Sequence, residues 1–153
     1  MNESKIIHDT ISSSRFFNAA IEDVFDAWAD HEKSQKWDPR PDGVESVSQG
    51  RDFSVGGIES TDYISDGVIL VRFETRYLDI VENERIIYSI RVISPEGSLL
   101  SSSQNTIEFT SEDNGTRLFC TEQVAWLMGK SMRPEHESGW ETLLGRLEAF
   151  LEE

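Results

Sequence analysis

The sequence is poor in cysteine and in long apolar runs, and each shortage excludes a class of protein. Cys120 is the only cysteine among the 153 residues, so no disulfide forms within the chain. No cysteine pair and no His-x-x-x-His spacing points to a structural metal site, and we expect neither a metal nor a cofactor. No apolar run reaches the ~18 to 20 residues of a membrane-spanning helix, so we expect no membrane insertion.

Positive charge is also scarce. The chain has 29 acidic and 14 basic residues, a formal net charge of -15, and its basic residues form no cluster. Repulsion from phosphates therefore predicts that nucleic acid is not a partner. The acidity is explained either by solubility or by a saline habitat. The N-terminal residues include no long apolar stretch typical of a secretory signal, and we expect a cytoplasmic protein.

The length and composition predict one globular domain over residues 1-153. Hydrophobic residues make up 37% and charged residues 28% of the chain. A chain of this length has room for one sizeable core and little room for a second.

Helical periodicity occurs near both ends of the chain. Ile21, Val24, Phe25 and Trp28 recur at the spacing of an amphipathic helix. A second short helix is predicted from residue 31 to 36, ending at Trp37. Residues 134 to the C-terminus form a long helix whose apolar stripe comprises His136, Trp140, Leu143, Leu144, Leu147 and Leu151.

The rest of the sequence is typical of strands. A first strand is predicted over residues 5–17, before the helices, and a meander begins after residue 43. Its turns are marked by Asp66-Gly67, Glu82-Asn83-Glu84, Pro95-Glu96-Gly97 and Asp113-Asn114-Gly115. Meander strands are predicted at 44–47, 52–63 and 68–81, with Gly56-Gly57 as a bulge or close-packing point. Three further strands include residues 86–92, 105–109 and 118–126.

These elements predict an α+β fold. Six to seven antiparallel strands form a curved sheet, and the long C-terminal helix must bury its apolar stripe against the concave face. Because a curled sheet rarely closes completely on a helix, we expect a cavity between the two.

The chain resembles the helix-grip proteins of the START/Bet v 1-like (SRPBCC) superfamily. Within it, the chain is similar to the branch of the C-terminal domain of the activator of Hsp90 ATPase. The resemblance extends from about Arg15 to Phe150. It departs after Trp37, where Asp38-Pro39-Arg40-Pro41-Asp42 replaces an aromatic residue and further apolar residues. The residues that carry it are Arg15-Phe16-Phe17, Val24-Phe25-Asp26-Ala27-Trp28, Gln35-Lys36-Trp37, Gly56-Gly57, Gly115-Thr116-Arg117-Leu118, His136, Gly139-Trp140, Leu143-Leu144 and Leu147.

The predicted ligand-binding residues combine inward strand positions with the helix stripe. Trp37, at one end of the cavity, is interpreted either as a lid or as a hydrophobic plug. The full set is Trp37, Phe73, Tyr77, Tyr88, Glu122, Trp126, His136, Trp140, Leu143 and Leu144.

Two of these residues have competing interpretations. His136 is either a satisfied residue at the edge of the core or an acid-base group. Glu122 either points inward, protonated or paired with Arg72, Arg91 or His136, or is turned into water by a one-residue shift of register. No nucleophile motif accompanies them, so an enzyme is less favoured than a binding protein.

Three classes of function therefore stay open. The first is the binding of a small, largely apolar or aromatic molecule. The second, implied by the resemblance, is a protein-interaction module like the Hsp90 activator, in which a protein is the partner. The third is a cyclase- or hydrolase-like enzyme that uses His136 and Glu122. Both a monomer and a homodimer are compatible with the sequence.

Overall fold

A computed structural model describes residues 5–38 and 42–153 as three helices and seven strands. Residues 39–41, in the segment that departs from the family pattern, lie outside the described residues. The elements are β1 (Ile7–Phe17), α1 (Ile21–Ala29), α2 (His31–Trp37), β2 (Glu45–Arg51), β3 (Ile58–Ser65), β4 (Val68–Val81), β5 (Arg85–Ile93), β6 (Leu99–Glu112), β7 (Gly115–Trp126) and α3 (Arg133–Leu151).

The described strands form one antiparallel sheet in the order β1-β7-β6-β5-β4-β3-β2. Its hairpins turn where the sequence predicts them, and Asp66, Asn83, Asp113 and Asn114 all have positive φ angles. Asn and Asp tolerate this left-handed conformation better than most residues do. The predicted curved antiparallel sheet with two short helices after the first strand is confirmed.

One predicted strand was wrong at its start. Residues 52–57 form a loop, and the strand begins at Ile58. The loop is closed by a hydrogen bond from Gly57 N to Ser54 O, and Gly56 N donates to Tyr77 O of β4. The alternation of Phe53 and Val55 imitated a strand. In contrast, β2 extends to Arg51, beyond the predicted residue 47.

Helix α3 lies against the β1 end of the sheet. Arg15 of β1 donates to Glu141 and Glu148 of α3. Trp140, Leu144 and Leu147 of the helix are buried in the same core as residues of β1, β6 and β7. The helix therefore lies at the β1 end of the sheet, α1 packs beside it against β6 and β7, and α2 contacts both of these helices.

Candidate functional site

A cavity of about 250 Å³ lies between α2, the concave side of β2 to β5, and Leu143 of α3. Its position follows from the fold, because α3 packs against β1 and α1 packs against β6 and β7, which leaves the side of β2 to β5 that faces α2 uncovered. The lining residues are Trp28, His31, Ser34, Gln35, Trp37, Asp38, Ser46, Ser48, Arg51, Phe53, Glu59, Thr61, Tyr63, Phe73, Thr75, Tyr77, Ile86, Tyr88, Ile90 and Leu143.

Aromatic rings form much of the cavity wall. Tyr63 and Phe73 meet edge to face with their ring centroids 5.0 Å apart, and Tyr77 and Tyr88 are 6.2 Å apart. On the other side of the cavity, the ring centroids of Trp37 and Trp28 lie 4.9 Å apart. Ring pairs of this kind give a rigid apolar surface.

Trp37 is held in place at both its ring and its backbone. Its Nε1 donates to Ala27 O at 3.0 Å, and Arg146 of α3 donates to Trp37 O at 3.2 Å. Only 4% of Trp37 is exposed. This arrangement favours the plug interpretation over a mobile lid.

A buried polar group interrupts the aromatic wall. Arg51 donates from its two terminal nitrogens to Trp28 O at 2.6 Å and Ala29 O at 2.9 Å, the last carbonyls of α1. Its Nε lies 3.4 Å from both the Tyr77 hydroxyl and Glu59 Oε2. Tyr77 donates to the same Glu59 oxygen at 2.7 Å.

Tyr77 and Tyr88, in the cavity wall, stay protonated at neutral pH. Burial raises the pKa of Tyr77, and the negative charge of Glu59 raises it further. Burial likewise raises the pKa of Tyr88 well above its usual value. Each phenol is therefore a neutral hydrogen-bonding group.

The outer part of the cavity is polar. Helix α2 supplies His31, Ser34 and Gln35 to its lining, and β2 supplies Ser46 and Ser48. His31 and Gln35 are exposed and hydrogen-bonded to each other at 3.2 Å. The cavity thus passes from a polar mouth to an aromatic interior, as small-molecule sites commonly do.

A second polar cluster lies under the N-terminal half of α3. Glu122 of β7 accepts from His136 Nδ1 at 3.0 Å and from Trp140 Nε1 at 3.2 Å. The Trp126 ring stands edge-on to the His136 ring at 4.6 Å. Glu122 therefore points inward, which is one of the two orientations left open by the sequence, and His136 is its partner.

This cluster continues to the start of α3 through Asp9. The Asp9 carboxylate accepts from Trp126 Nε1 at 2.6 Å and from Ser131 Oγ at 2.5 Å, and Arg133 donates to its other oxygen. These hydrogen bonds, that of Ser131 first, lower the pKa of Asp9. The chain thus ties the beginning of α3 to β1 and β7.

The predicted site residues therefore separate into two groups. Trp37, Phe73, Tyr77, Tyr88 and Leu143 line the cavity. His136 and Trp140 hydrogen-bond to Glu122, Trp126 packs against His136, and Leu144 is buried in the core. The described lining of the cavity does not include these five residues, so the expectation that His136 and Trp140 form its wall is not met.

Sequence reasoning missed Arg51, Phe53 and Glu59. The guanidinium of Arg51 lies 5.0 Å from the centre of the Phe53 ring, and both residues line the cavity with Glu59. Glu59 shares its strand face with Thr61 and Tyr63, so its alternation was an available signal.

Other chemistry receives little support from the described part of the chain. Burial raises the pKa of the Cys120 thiol to about 12, which makes it a poor nucleophile. Residues 5–38 and 42–153 bring no three His, Cys, Asp or Glu side chains together in a metal-binding arrangement. Within the same residues, no helix has the length and apolarity needed to cross a membrane.

Comparisons with known proteins agree with this architecture. An uncharacterized protein from Rhizobium leguminosarum is 34% identical, with a TM-score of 0.86 and 96% of each chain covered. A Rhizobium loti protein is also 34% identical, with a TM-score of 0.84, over 95% of this chain and 99% of that one. A Chromobacterium violaceum protein is 27% identical, with a TM-score of 0.79, over 94% and 97%.

No curated protein is significantly similar to the chain. A family model described as "Activator of Hsp90 ATPase homolog 1-like protein" matches residues 18–152, which span all but the first strand. The chain therefore belongs to the Activator of Hsp90 ATPase homolog 1-like family.

Proposed function

We propose that this protein binds a small, largely apolar, aromatic molecule in the cavity between α2 and strands β2 to β5. The observation that carries the proposal is a volume of about 250 Å³ walled by Trp37, Phe73, Tyr77 and Tyr88. An apolar cavity of ~150 Å³ holds benzene. The space therefore suits a molecule of one or two fused rings.

A catalytic role for His136 and Glu122 has less support. Their hydrogen bond is short enough for proton transfer, but both residues lie outside the described lining of the cavity. The Glu122 carboxylate is only 5% exposed and already accepts from Trp140. The pair joins β7 to α3, and this structural role is enough to explain its presence without catalysis.

The first test fills the cavity from the middle of β4. Thr75 lines it between Phe73 and Tyr77, so Thr75→Phe places a ring in the space that the ligand needs. We expect the affinity for naphthalene and 2-naphthol, measured by titration calorimetry, to fall at least ~10-fold. This corresponds to a loss of ~1.4 kcal/mol of binding free energy.

The matched control is Thr110→Phe. Thr110 is exposed and adjoins the inward-facing Phe109, so the same ring is added outside the cavity. Thermal unfolding checks that both variants fold. If neither probe binds the folded wild type, the proposal fails. A protein-interaction role would then be favoured, with the exposed Val68, Ile69 and Leu70 as its apolar surface.

A further inference from the structure

We propose that Glu59 selects the chemical class of the ligand: an aromatic molecule with a hydrogen-bond donor, an alcohol or an amine, and not an aromatic carboxylate. This inference rests on the proposed function and concerns the same cavity. It follows from which hydrogen-bonding groups are occupied within the protein, as those of Arg51 are, and which are not, as at Glu59 and Tyr88.

Glu59 has an acceptor to spare. Tyr77 donates to its Oε2 at 2.7 Å, and Arg51 Nε lies 3.4 Å from the same oxygen. No described residue donates to the other oxygen, Oε1. The Glu59 side chain is 23% exposed and lines the cavity. A carboxylate oxygen in an aromatic environment gains most from a donor that the ligand brings.

Arg51 cannot serve as a carboxylate receptor in this arrangement. Both of its terminal nitrogens donate to backbone carbonyls of α1, and its Nε faces Tyr77 and Glu59. Its side chain is 7% exposed. A ligand carboxylate would have to displace contacts that hold the end of α1 against β2.

Tyr88 offers a second, neutral group. Its hydroxyl has no hydrogen-bond partner among the described residues, although the residue lines the cavity. Tyr88 is partly exposed, and a ligand that displaces water from its hydroxyl would leave that hydroxyl in need of a partner. A ligand hydroxyl or amine near Tyr88 would supply one, so Tyr88 adds to the preference for a polar substituent without requiring a charge.

The surrounding charge acts in the same direction. Asp38 lies at the polar mouth of the cavity, and the whole chain has a net charge of -15. Both disfavour the approach of an anion and favour neutral or cationic molecules.

The test compares three probes of one shape: naphthalene, 2-naphthol and 2-naphthoate. With the wild type, calorimetry should show 2-naphthol binding about tenfold more tightly than naphthalene and 2-naphthoate binding most weakly. Glu59→Gln removes the charge and keeps an acceptor for Tyr77. It should reduce the affinity for 2-naphthol about tenfold and leave that for naphthalene unchanged.

Glu74→Gln is the control. Glu74 adjoins the cavity-lining Phe73 and Thr75 on β4 but pairs with Arg91 outside the cavity, and its substitution should change no affinity. Equal binding of naphthalene and 2-naphthol by the wild type, or tight binding of 2-naphthoate, would overturn the role of Glu59 while the proposed function stands. Absence of binding by all three probes would overturn both. The ranking of probes by the wild type decides the matter even if Glu59→Gln does not fold.

Discussion

At the scale of single residues, the chain buries a carboxylate and satisfies it with two aromatic donors. Glu122 is 5% exposed, and its oxygens accept from His136 Nδ1 and Trp140 Nε1. An unpaired charge at this depth would be strongly destabilising. The pairing explains how a mostly apolar strand face accommodates a glutamate, and it makes Glu122 a connection between β7 and α3.

Glu122→Leu should therefore destabilise the fold although it adds an apolar side chain of similar size. The substitution leaves the Trp140 N–H buried without an acceptor, a loss of about 1–3 kcal/mol in the free energy of unfolding. Glu108→Leu, at an exposed position of β6, should stay within ~0.5 kcal/mol of the wild type. Urea unfolding measures both. Equal midpoints for the two variants would show that Glu122 does not hold α3.

At the scale of elements, the sequence was most informative where local chemistry decides the structure. Asp66-Gly67 and Asp113-Asn114 predicted hairpins because few other residues adopt positive φ angles readily. The stripe of Val24, Phe25 and Trp28 predicted α1 because helical spacing places them on one face. These predictions needed no knowledge of distant contacts.

The loop of residues 52–57 was not predictable in the same way. Phe53 and Val55 alternate with polar residues as in a strand, yet Ser54 Oγ donates to Asp52 and the loop attaches to Tyr77 through Gly56 and Gly57. Local alternation cannot distinguish a strand from such a loop. For this reason, the sequence did not identify Arg51 and Phe53 as residues that line the cavity.

The candidate site was predictable only on its sheet side. Alternation along β4 and β5 placed Phe73, Tyr77 and Tyr88 inward, where they line the cavity. The position of α3 across the sheet depends instead on contacts distant in sequence, such as those of Arg15 with Glu141. Periodicity shows which face of a helix is buried, but it does not show which strands that face covers.

Gly57→Ala should destabilise the protein, because the 52–57 loop has no room for a side chain at this position. A Cβ at Gly57 would lie 2.1 Å from Asp52 O and 2.9 Å from Ser54 O, and backbone atoms cannot yield easily. We expect a loss of about 1–3 kcal/mol in the free energy of unfolding.

The control for this variant is Gly139→Ala. Gly139 is an exposed residue within α3 with no heavy atom near its Cβ position. Alanine should therefore stabilise the helix by ~0.5–1 kcal/mol. Chemical denaturation of the two variants gives the comparison. Stabilisation by both substitutions would mean that the loop has room for a side chain.

At the scale of the whole molecule, acidic residues outnumber basic ones, and a few of the carboxylates are paired strongly with arginine. The net charge is -15, yet Asp62 is 4% exposed and accepts from Arg72 Nε at 2.6 Å and from its terminal nitrogen at 3.0 Å. Bidentate pairs of this kind are stronger than single surface contacts. The hydrogen bond and charge of Arg72 lower the pKa of Asp62 below its ordinary value of 3.8.

This pairing predicts how stability depends on pH. Because the folded pKa of Asp62 is depressed, the unfolded chain binds its proton first as the pH falls. The stabilisation is fully present above the unfolded pKa of 3.8 and is lost as the pH falls through the folded pKa. Asp62→Asn should therefore be less stable than the wild type at about pH 7, and the difference should shrink towards pH ~2.5.

Asp66→Asn, in an exposed turn where Asn also tolerates a positive φ angle, should match the wild type at both values. Urea unfolding of the three proteins across this range measures the effect. An Asp62→Asn deficit of the same size at both ends would contradict the assignment, because a loss that does not titrate cannot come from the carboxylate's charge.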